Sequence, residues 1–227
     1  MLNGVEAKAS ESAPRPTAFE GIQISILRFP QDASLWNLVG AYLTLRRDVF
    51  IERKDWSLWQ AEDLEFEQYD TFDTTYVIAH VDEKVIGGGR LRRADQQTGH
   101  GTYRYSYMIR DAVLGLLPGL PRELCFDPPP VDPSTWELTR FVSTGGAGVA
   151  DGMLRAINDF LYSNGARSCL CLGSPAFLRM ARRVGWQARE MGPVCGNQDG
   201  RFLVFDLSVI DPNHLSEGSL GLSSDRR

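Results

Sequence analysis

Residues 136–146 read Trp-Glu-Leu-Thr-Arg-Phe-Val-Ser-Thr-Gly-Gly. The aromatic and β-branched content of Trp136–Ser143 predicts a strand. Gly145-Gly146 then turns the chain into a helix over about Asp151–Ser163, with Met153, Ile157, Phe160 and Leu161 inward and Asn164-Gly165 as its stop. Glu137 and Arg140 stand three apart, which sends them to opposite faces of an ideal strand. Either they serve two faces, or a bulge re-aims one of them.

Further along the chain, Cys169–Leu172 reads as a short buried strand and Pro175–Val184 as a helix opened by Ser174-Pro175. That helix turns Phe177, Leu178, Ala181 and Val184 inward and leaves Arg179, Arg182 and Arg183 mostly outside; Phe202–Ser208 is the last strand. In the other direction, Met108–Leu117 predicts a helix and 94–102 a polar connection. Tyr76–Val81 and Val85–Arg92 form a hairpin around Asp82-Glu83-Lys84. Gly87-Gly88-Gly89 suits a bulge or a close approach. Residues 51–75, aromatic and acidic without a clean period, read as an ordered loop with short helical turns. Ser34–Phe50 is an amphipathic helix, and Gln23–Leu27 a first strand. The order predicts one α/β domain over 21–210, a mixed sheet covered on both faces, between a disordered segment at 1–20 and a polar tail at 211–227.

Composition restricts the function. The chain has 227 residues, with 24 Lys and Arg against 29 Asp and Glu, a net charge of −5. That balance argues against nucleic-acid binding, which needs a phosphate-neutralising surface. No apolar run approaches the ~18 residues of a membrane span, and the N-terminus lacks the apolar core of a signal peptide. A cytoplasmic protein is expected. Cys125, Cys169, Cys171 and Cys195 form no metal-ligand spacing, and His80, His100 and His214 are isolated, so no metal is expected.

Charge appears where the pattern demands apolar residues. On the 34–50 helix, Leu38, Val39, Tyr42, Leu43, Leu45, Val49 and Phe50 gather on one side, and Arg46 falls at the centre of it. Arg90 lies in the glycine-rich strand, and Glu137 with Arg140 in the strand quoted first. Buried charges need partners or a ligand. The set is either an internal ion-pair network or a functional site.

These blocks, in this order and at these separations, resemble the acyl-homoserine-lactone synthases of LuxI type. The resemblance runs from Leu45-Arg46-Arg47-Asp48-Val49-Phe50 and Trp56, through Glu65-Phe66-Glu67-Gln68-Tyr69-Asp70 and Gly87–Leu91, to Trp136–Phe141 and Arg183-Val184-Gly185-Trp186. It implies a GNAT-like three-layer α/β/α sandwich with a mixed, mostly antiparallel sheet. It implies an acyltransferase that moves an acyl group from a thioester to the amine of S-adenosylmethionine, then closes the lactone and releases methylthioadenosine. Such an enzyme makes a quorum-sensing autoinducer. No permanent cofactor is implied; S-adenosylmethionine is a substrate, and the acyl donor is acyl-acyl carrier protein or acyl-coenzyme A.

Carried onto this chain, the resemblance assigns catalysis to Glu137, Arg140, Arg90 and Arg46. The amine must lose a proton before it attacks, and Glu137 is the candidate general base on that chemical ground, a role the family likeness settles less than the residue's importance. Phe50, Trp56, Glu67, Asp70 and Arg46 bind the amine donor, Arg46 either through its carboxylate or by completing the network beneath it. Arg90 and Arg140 buttress Glu137 and the acidic pair. Val142, Met153, Ile157, Cys169, Cys171 and Leu172 are candidates for the acyl pocket, being at the sheet centre and its covering helix. Arg155, Arg167, Arg179, Arg182 and Arg183 are candidates for docking an acidic carrier protein, while Ser143–Gly148 resembles a phosphate-cradling turn suited to coenzyme A. A monomer is expected. Two departures bear on the donor pocket: Glu67 stands where the family has aspartate, and Val113 where it has phenylalanine. An ordinary GNAT acyltransferase on another amine explains the sheet and turn but not the Arg46/Trp56/Asp70 block. A catalytically inactive sensor of the same ligands is the remaining alternative.

Overall fold

The computed structural model describes residues 21–213. The expected lead-in and the tail beyond Asn213 lie outside the described residues. The chain runs β1 (Gln23–Arg28), α1 (Trp36–Arg46), a π-helical stretch (Arg47–Arg53), β2 (Gln60–Ala61), β3 (Leu64–Glu65), β4 (Thr75–Val81) and β5 (Lys84–Arg93). It continues through β6 (Thr98–His100), β7 (Tyr103–Tyr105), α2 (Met108–Val113), β8 (Thr135–Ser143), α3 (Ala147–Ser163), β9 (Ser168–Gly173), α4 (Pro175–Val184), β10 (Ala188–Glu190), β11 (Cys195–Asn197) and β12 (Gly200–Ser208). No helix among the described residues is long and apolar enough to cross a membrane.

One sheet has the order β1–β4–β5–β8–β9–β12–β10, with β11 on the same edge of β12. Every neighbouring pair is antiparallel except β8–β9. Strand alternation divides the core. Tyr76 and Ile78 of β4 pack with Leu38, Val39 and Tyr42 of α1 on one face, while Val77 points to the other, where α3 and α4 bring Leu154, Ile157, Leu178 and Ala181. α2 covers the α1 side further along, over Leu170 and Val204.

The parallel pair matters most for the site. Its ladder joins Thr135–Leu138 to Ser168–Cys171, and beyond it both strands continue without a shared ladder. At that point β8 carries a bulge against β5: Gly88 pairs with Val142 and Arg90 with Thr139, so Arg140 and Phe141 together oppose Gly89. Arg140 adopts φ +53°, the left-handed conformation of an extra residue. The side-chain order along β8 shifts by one. Leu138 and Phe141 face the α3–α4 side, and Arg140 turns to the α1 side with Thr139. Of the two alternatives for Glu137 and Arg140, the bulge is the one found.

Gly88, paired beside the bulge, leaves room for the Tyr42 ring. A Cβ there would stand 2.3 Å from Cδ2 of Tyr42, whose ring lies on the strand and whose hydroxyl donates to the Arg140 carbonyl at 2.7 Å. The hydroxyl bond and the burial of the ring in the α1 core resist a shift. Gly88→Ala is therefore expected to cost about 1–3 kcal/mol by overpacking. Urea denaturation checks this, and a loss under about 0.5 kcal/mol would mean that the ring yields.

Several boundaries differ from expectation. The first helix, expected over 34–50, is α-helical only to Arg46; the wider π-helical turn that follows keeps Phe50 buried while Arg47 and Asp48 remain partly exposed. The helix expected from Asp151 begins at Ala147, because Gly146 at φ +86° already completes the turn. Residues 94–102, expected as a plain connection, contain β6 and lead into its hairpin with β7. Residues 51–75 hold the β2–β3 pair, and the edge strands β10 and β11 are additional. Strands of two or three residues are too short to show a period.

Candidate functional site

Three arginines and three carboxylates meet on the α1 side of the bulge. Arg46 ends α1, Arg90 lies in β5 and Arg140 in the β8 bulge; Glu65 ends β3, and Glu67 and Asp70 sit in the turn after it. Arg46 donates to both oxygens of Asp70, at 2.8 and 3.1 Å, and its Nε donates to Glu65. Arg140 holds Glu67 at 2.9 Å and Glu65 at 3.2 Å. Arg90 reaches Glu67, donates to Thr139 Oγ1 at 3.0 Å and sets Nη1 3.1 Å from Asp70, a charge contact without hydrogen-bond alignment. The Tyr76 hydroxyl donates to Asp70 at 3.1 Å, and the Asp70 carboxylate also accepts from the Glu67 backbone N–H.

The turn explains the spacing. Asp70 N–H bonds back to the Glu67 carbonyl, so the segment curls and both carboxylates point inward. Burial acts to raise the Asp70 carboxyl, but Arg90 and Arg46 outweigh it and hold the group well below the usual carboxylate range. The Glu67 carboxyl is lowered against burial in the same way, by Arg140 and Arg90. These acids are ionised at neutral pH, and the charges of the six groups cancel.

Each residue singled out in the sequence has a definite place. Arg46 is fully buried and all its guanidinium nitrogens are engaged, which is the network alternative rather than an open carboxylate clamp. Arg90, Arg140, Glu67 and Asp70 join it. Glu137 does not. It is 1% exposed, and its oxygens accept from the backbone N–H groups of Met108 at 2.9 Å and Ile109 at 2.7 Å, at the start of α2. Burial pushes its carboxyl up to about 7 despite those bonds. Arg90 and Arg140 form their hydrogen bonds and ion pairs with Glu65, Glu67, Asp70 and Thr139, and toward Glu137 Arg90 acts through its charge, which favours the ionised carboxyl.

Phe50 and Trp56 stack, with centroids 5.0 Å apart and planes 11° from parallel. The Arg140 guanidinium lies 6.0 Å from the Phe50 centroid. Lys54 places Nζ 5.1 Å from the Phe50 centroid and 4.7 Å from that of Trp56. Trp56 also donates to the Asp199 carbonyl at 3.2 Å, tying this pair to the β11–β12 turn. Beside the cluster opens a cleft of about 460 Å³ lined by Trp59, Gln60, Phe66, Glu67, Asp70 and Thr71 among others.

The acyl-pocket candidates divide between the two faces. Ile157, Cys169 and Cys171 belong to the α3–α4 core, with Met153 beside it against Ala79 and Val149. Val142 packs with the α1 side, and Leu172 near α2. One tunnel wall cannot contain all six, because neighbouring strand residues point to opposite faces. Of the docking candidates, Arg183 pairs with Asp151 at 3.1 Å, Arg182 with Glu190 at 3.5 Å, and Arg167 donates to Ser134 at 3.0 Å.

Two buried residues extend the site beyond the sequence-based selection. Glu65, fully buried, bridges Arg46 and Arg140; its signal was the Glu65–Glu67–Asp70 spacing. Arg92, 2% exposed, bonds the Ser106 carbonyl and the hydroxyls of Thr71 and Thr98; its signal was alternation with Arg90 on one strand face.

The mixed, mostly antiparallel sheet with helices on both faces is a GNAT-like acyltransferase fold, shared with a solved acyl-CoA N-acyltransferase from Pseudomonas aeruginosa at a TM-score of 0.51 and 16% identity, over 83% of this chain and 99% of that one. Residues 36–113 match the family described as autoinducer synthase. The acyl-homoserine-lactone synthase of Ralstonia solanacearum is 32% identical over 160 residues, covering 66% of this chain and 71% of that protein. Two further solved structures share the fold. TofI, in a ternary complex with an inhibitor and MTA, has a TM-score of 0.67 at 24% identity, over 84% of this chain and 98% of its own. BjaI, a CoA-dependent acyl-homoserine lactone synthase with SAM and isopentyl-CoA, has a TM-score of 0.72 at 18% identity, over 89% and 92%. This chain belongs to the acyl-homoserine-lactone synthase family.

Proposed function

We propose that the chain acylates S-adenosylmethionine from an acyl thioester and lactonises the product. The observation that carries this reading is the neutralised cluster of Arg46, Arg90 and Arg140 with Glu65, Glu67 and Asp70, which keeps carboxylates ionised at the edge of an aromatic cleft. A donor with an ammonium and a sulfonium suits that edge. The amine must first lose its proton. It then attacks the thioester carbonyl, and the thiol leaves. The donor's carboxylate next attacks its own chain γ-carbon, the one that bears the sulfonium; the bond from that carbon to sulfur breaks, and its electron pair leaves sulfur neutral in methylthioadenosine.

Glu137 is the proposed base, since a carboxyl at about 7 is matched to accepting a proton near neutrality. Both of its oxygens already accept backbone N–H bonds at the start of α2, so in this reading the amine's proton passes to it through a water and not by direct contact. Arg46, Arg90 and Arg140 act as positioning residues for Glu67 and Asp70. For the acyl pocket we favour the α3 side, with Met153, Ile157, Cys169 and Cys171, over a set that spans both faces.

The acyl carrier follows from which surface is used: the arginines of α4 for an acidic carrier protein, or the Gly146 turn for coenzyme A. Incubation with S-adenosylmethionine and a panel of both thioester types, followed by chromatography for methylthioadenosine, tests the whole reading. Release is expected, together with an acyl-homoserine lactone by mass spectrometry. No methylthioadenosine with any carrier would exclude it, and acylation of a different amine without it would favour the ordinary acyltransferase.

A further inference from the structure

The amine donor carries a carboxylate as well as two cationic groups, and the buried cluster offers no spare cation for it. Arg46, Arg90 and Arg140 are matched by Glu65, Glu67 and Asp70. Lys54 is placed differently. It follows the π-helical stretch, its side chain is open to solvent, and its ammonium rests against both Phe50 and Trp56. No ion pair among the described residues includes it, and partial desolvation of the otherwise exposed side chain lowers its pKa. An ammonium on ring faces is held by a weak, easily exchanged contact. The Phe50 ring also lies 6.0 Å from the Arg140 guanidinium that holds Glu67, so a donor seated between that ring and Glu67 has the Lys54 side chain beside it to meet its carboxylate.

We propose that Lys54 binds the carboxylate of the amine donor, leaving the Phe50–Trp56 faces as it does so. The inference rests on the reading of the chain as a consumer of S-adenosylmethionine. It makes Lys54 a binding residue that orients the carboxylate during acylation and releases it for ring closure. The stacked pair is then a resting place that keeps the ammonium near the site in the free enzyme.

Methylthioadenosine provides the control, because it has the adenosine and sulfur but no carboxylate. Calorimetry of the full chain is expected to show S-adenosylmethionine binding at least about tenfold weaker in Lys54→Met, with methylthioadenosine within about twofold of wild type. Lys54→Arg should restore most of the loss, and KM should rise more than kcat falls. Thermal melting of Lys54→Met and Lys54→Gln confirms folding, which the exposed position favours. Tighter S-adenosylmethionine binding in Lys54→Met would overturn the proposal, since it would mean that the ammonium competes with the sulfonium for the rings. Equal weakening of both ligands, or no change in either, overturns it too. If the wild type binds no S-adenosylmethionine and releases no methylthioadenosine, the proposed function fails with it; if the wild type does both, only the role of Lys54 is at stake.

Discussion

Arg46→Ala is expected to lower the free energy of unfolding by about 3–5 kcal/mol, the range seen when one partner of a buried ion pair is removed. The guanidinium is fully buried and satisfies Glu65 and Asp70 together. Its loss leaves both carboxylates short of a cation, Glu65 fully buried and Asp70 nearly so. Against a total stability of about 5–15 kcal/mol, that is a large fraction. Guanidinium chloride denaturation should show a lower midpoint with an unchanged slope. Adding Glu65→Gln to Arg46→Met removes one anion with the one cation and leaves Arg90 and Arg140 matched by Glu67 and Asp70, so it should recover part of the loss, a non-additivity expected of direct partners. The acid limb provides a second reading. Asp70 and Glu67 have lowered pKa values in the folded chain, so their stabilisation is present above the unfolded carboxylate range near 4 and is lost as pH falls through the folded values. Arg46→Ala should flatten that limb. A cost below about 1 kcal/mol would mean that water or another cation replaces the guanidinium.

How far this site is legible in the sequence depends on how local its causes are. The helix Pro175–Val184 is readable to the residue because its signals are all adjacent: Ser174 caps Phe177 N–H, Pro175 opens the first turn, and Gly185 closes it at φ +108°. The burial of Arg46 is readable from the apolar face around it. Its partners are not, because the cluster is assembled by chain reversal between α1, the β3 turn, β5 and the β8 bulge. The separation of Glu137 and Arg140 predicts a conflict of faces, but the bulge that resolves it lies in the pairing with β5, where Gly88 stands opposite Val142 and leaves room for Tyr42 from α1. The acyl-pocket selection shows a different limit. Apolar content alone does not assign a layer, yet strand parity already separates Leu172 from Cys169 and Cys171, and the structure puts them on opposite faces. That Glu137 is hydrogen-bonded by the start of α2, with Arg90 acting on it through charge alone, follows from the tertiary position of α2, whose first backbone N–H groups occupy its carboxylate.

Glu137→Gln is expected to reduce kcat by about 10²–10⁴-fold, the usual contribution of a positioned general base, while S-adenosylmethionine binds within about threefold of wild type. The geometry makes this substitution informative. Both Glu137 oxygens accept backbone N–H bonds, from Met108 and Ile109, and a glutamine can accept with one oxygen only; its amide then confronts the other N–H. Some loss of stability at the start of α2 is therefore expected, on the order of 1–3 kcal/mol for one unsatisfied buried group. Activity must be compared where both proteins are folded. The pH dependence separates the roles. With the carboxyl raised to about 7 by burial, the wild-type kcat/KM should climb with pH through about 7 as the base ionises, and the variant should lack that limb. Stability moves in the opposite direction. The carboxyl rises from 4.5 to about 7 on folding, so the folded chain holds the proton between those values. The contribution of Glu137 is full below about 4.5 and falls away as pH rises through about 7, a trend that Glu137→Gln should abolish. If the activity limb near 7 persists in the variant, another group takes the proton and Glu137 acts only by anchoring α2. If turnover, limb and stability trend all disappear together, the carboxylate that holds the start of α2 is also the one that accepts the proton.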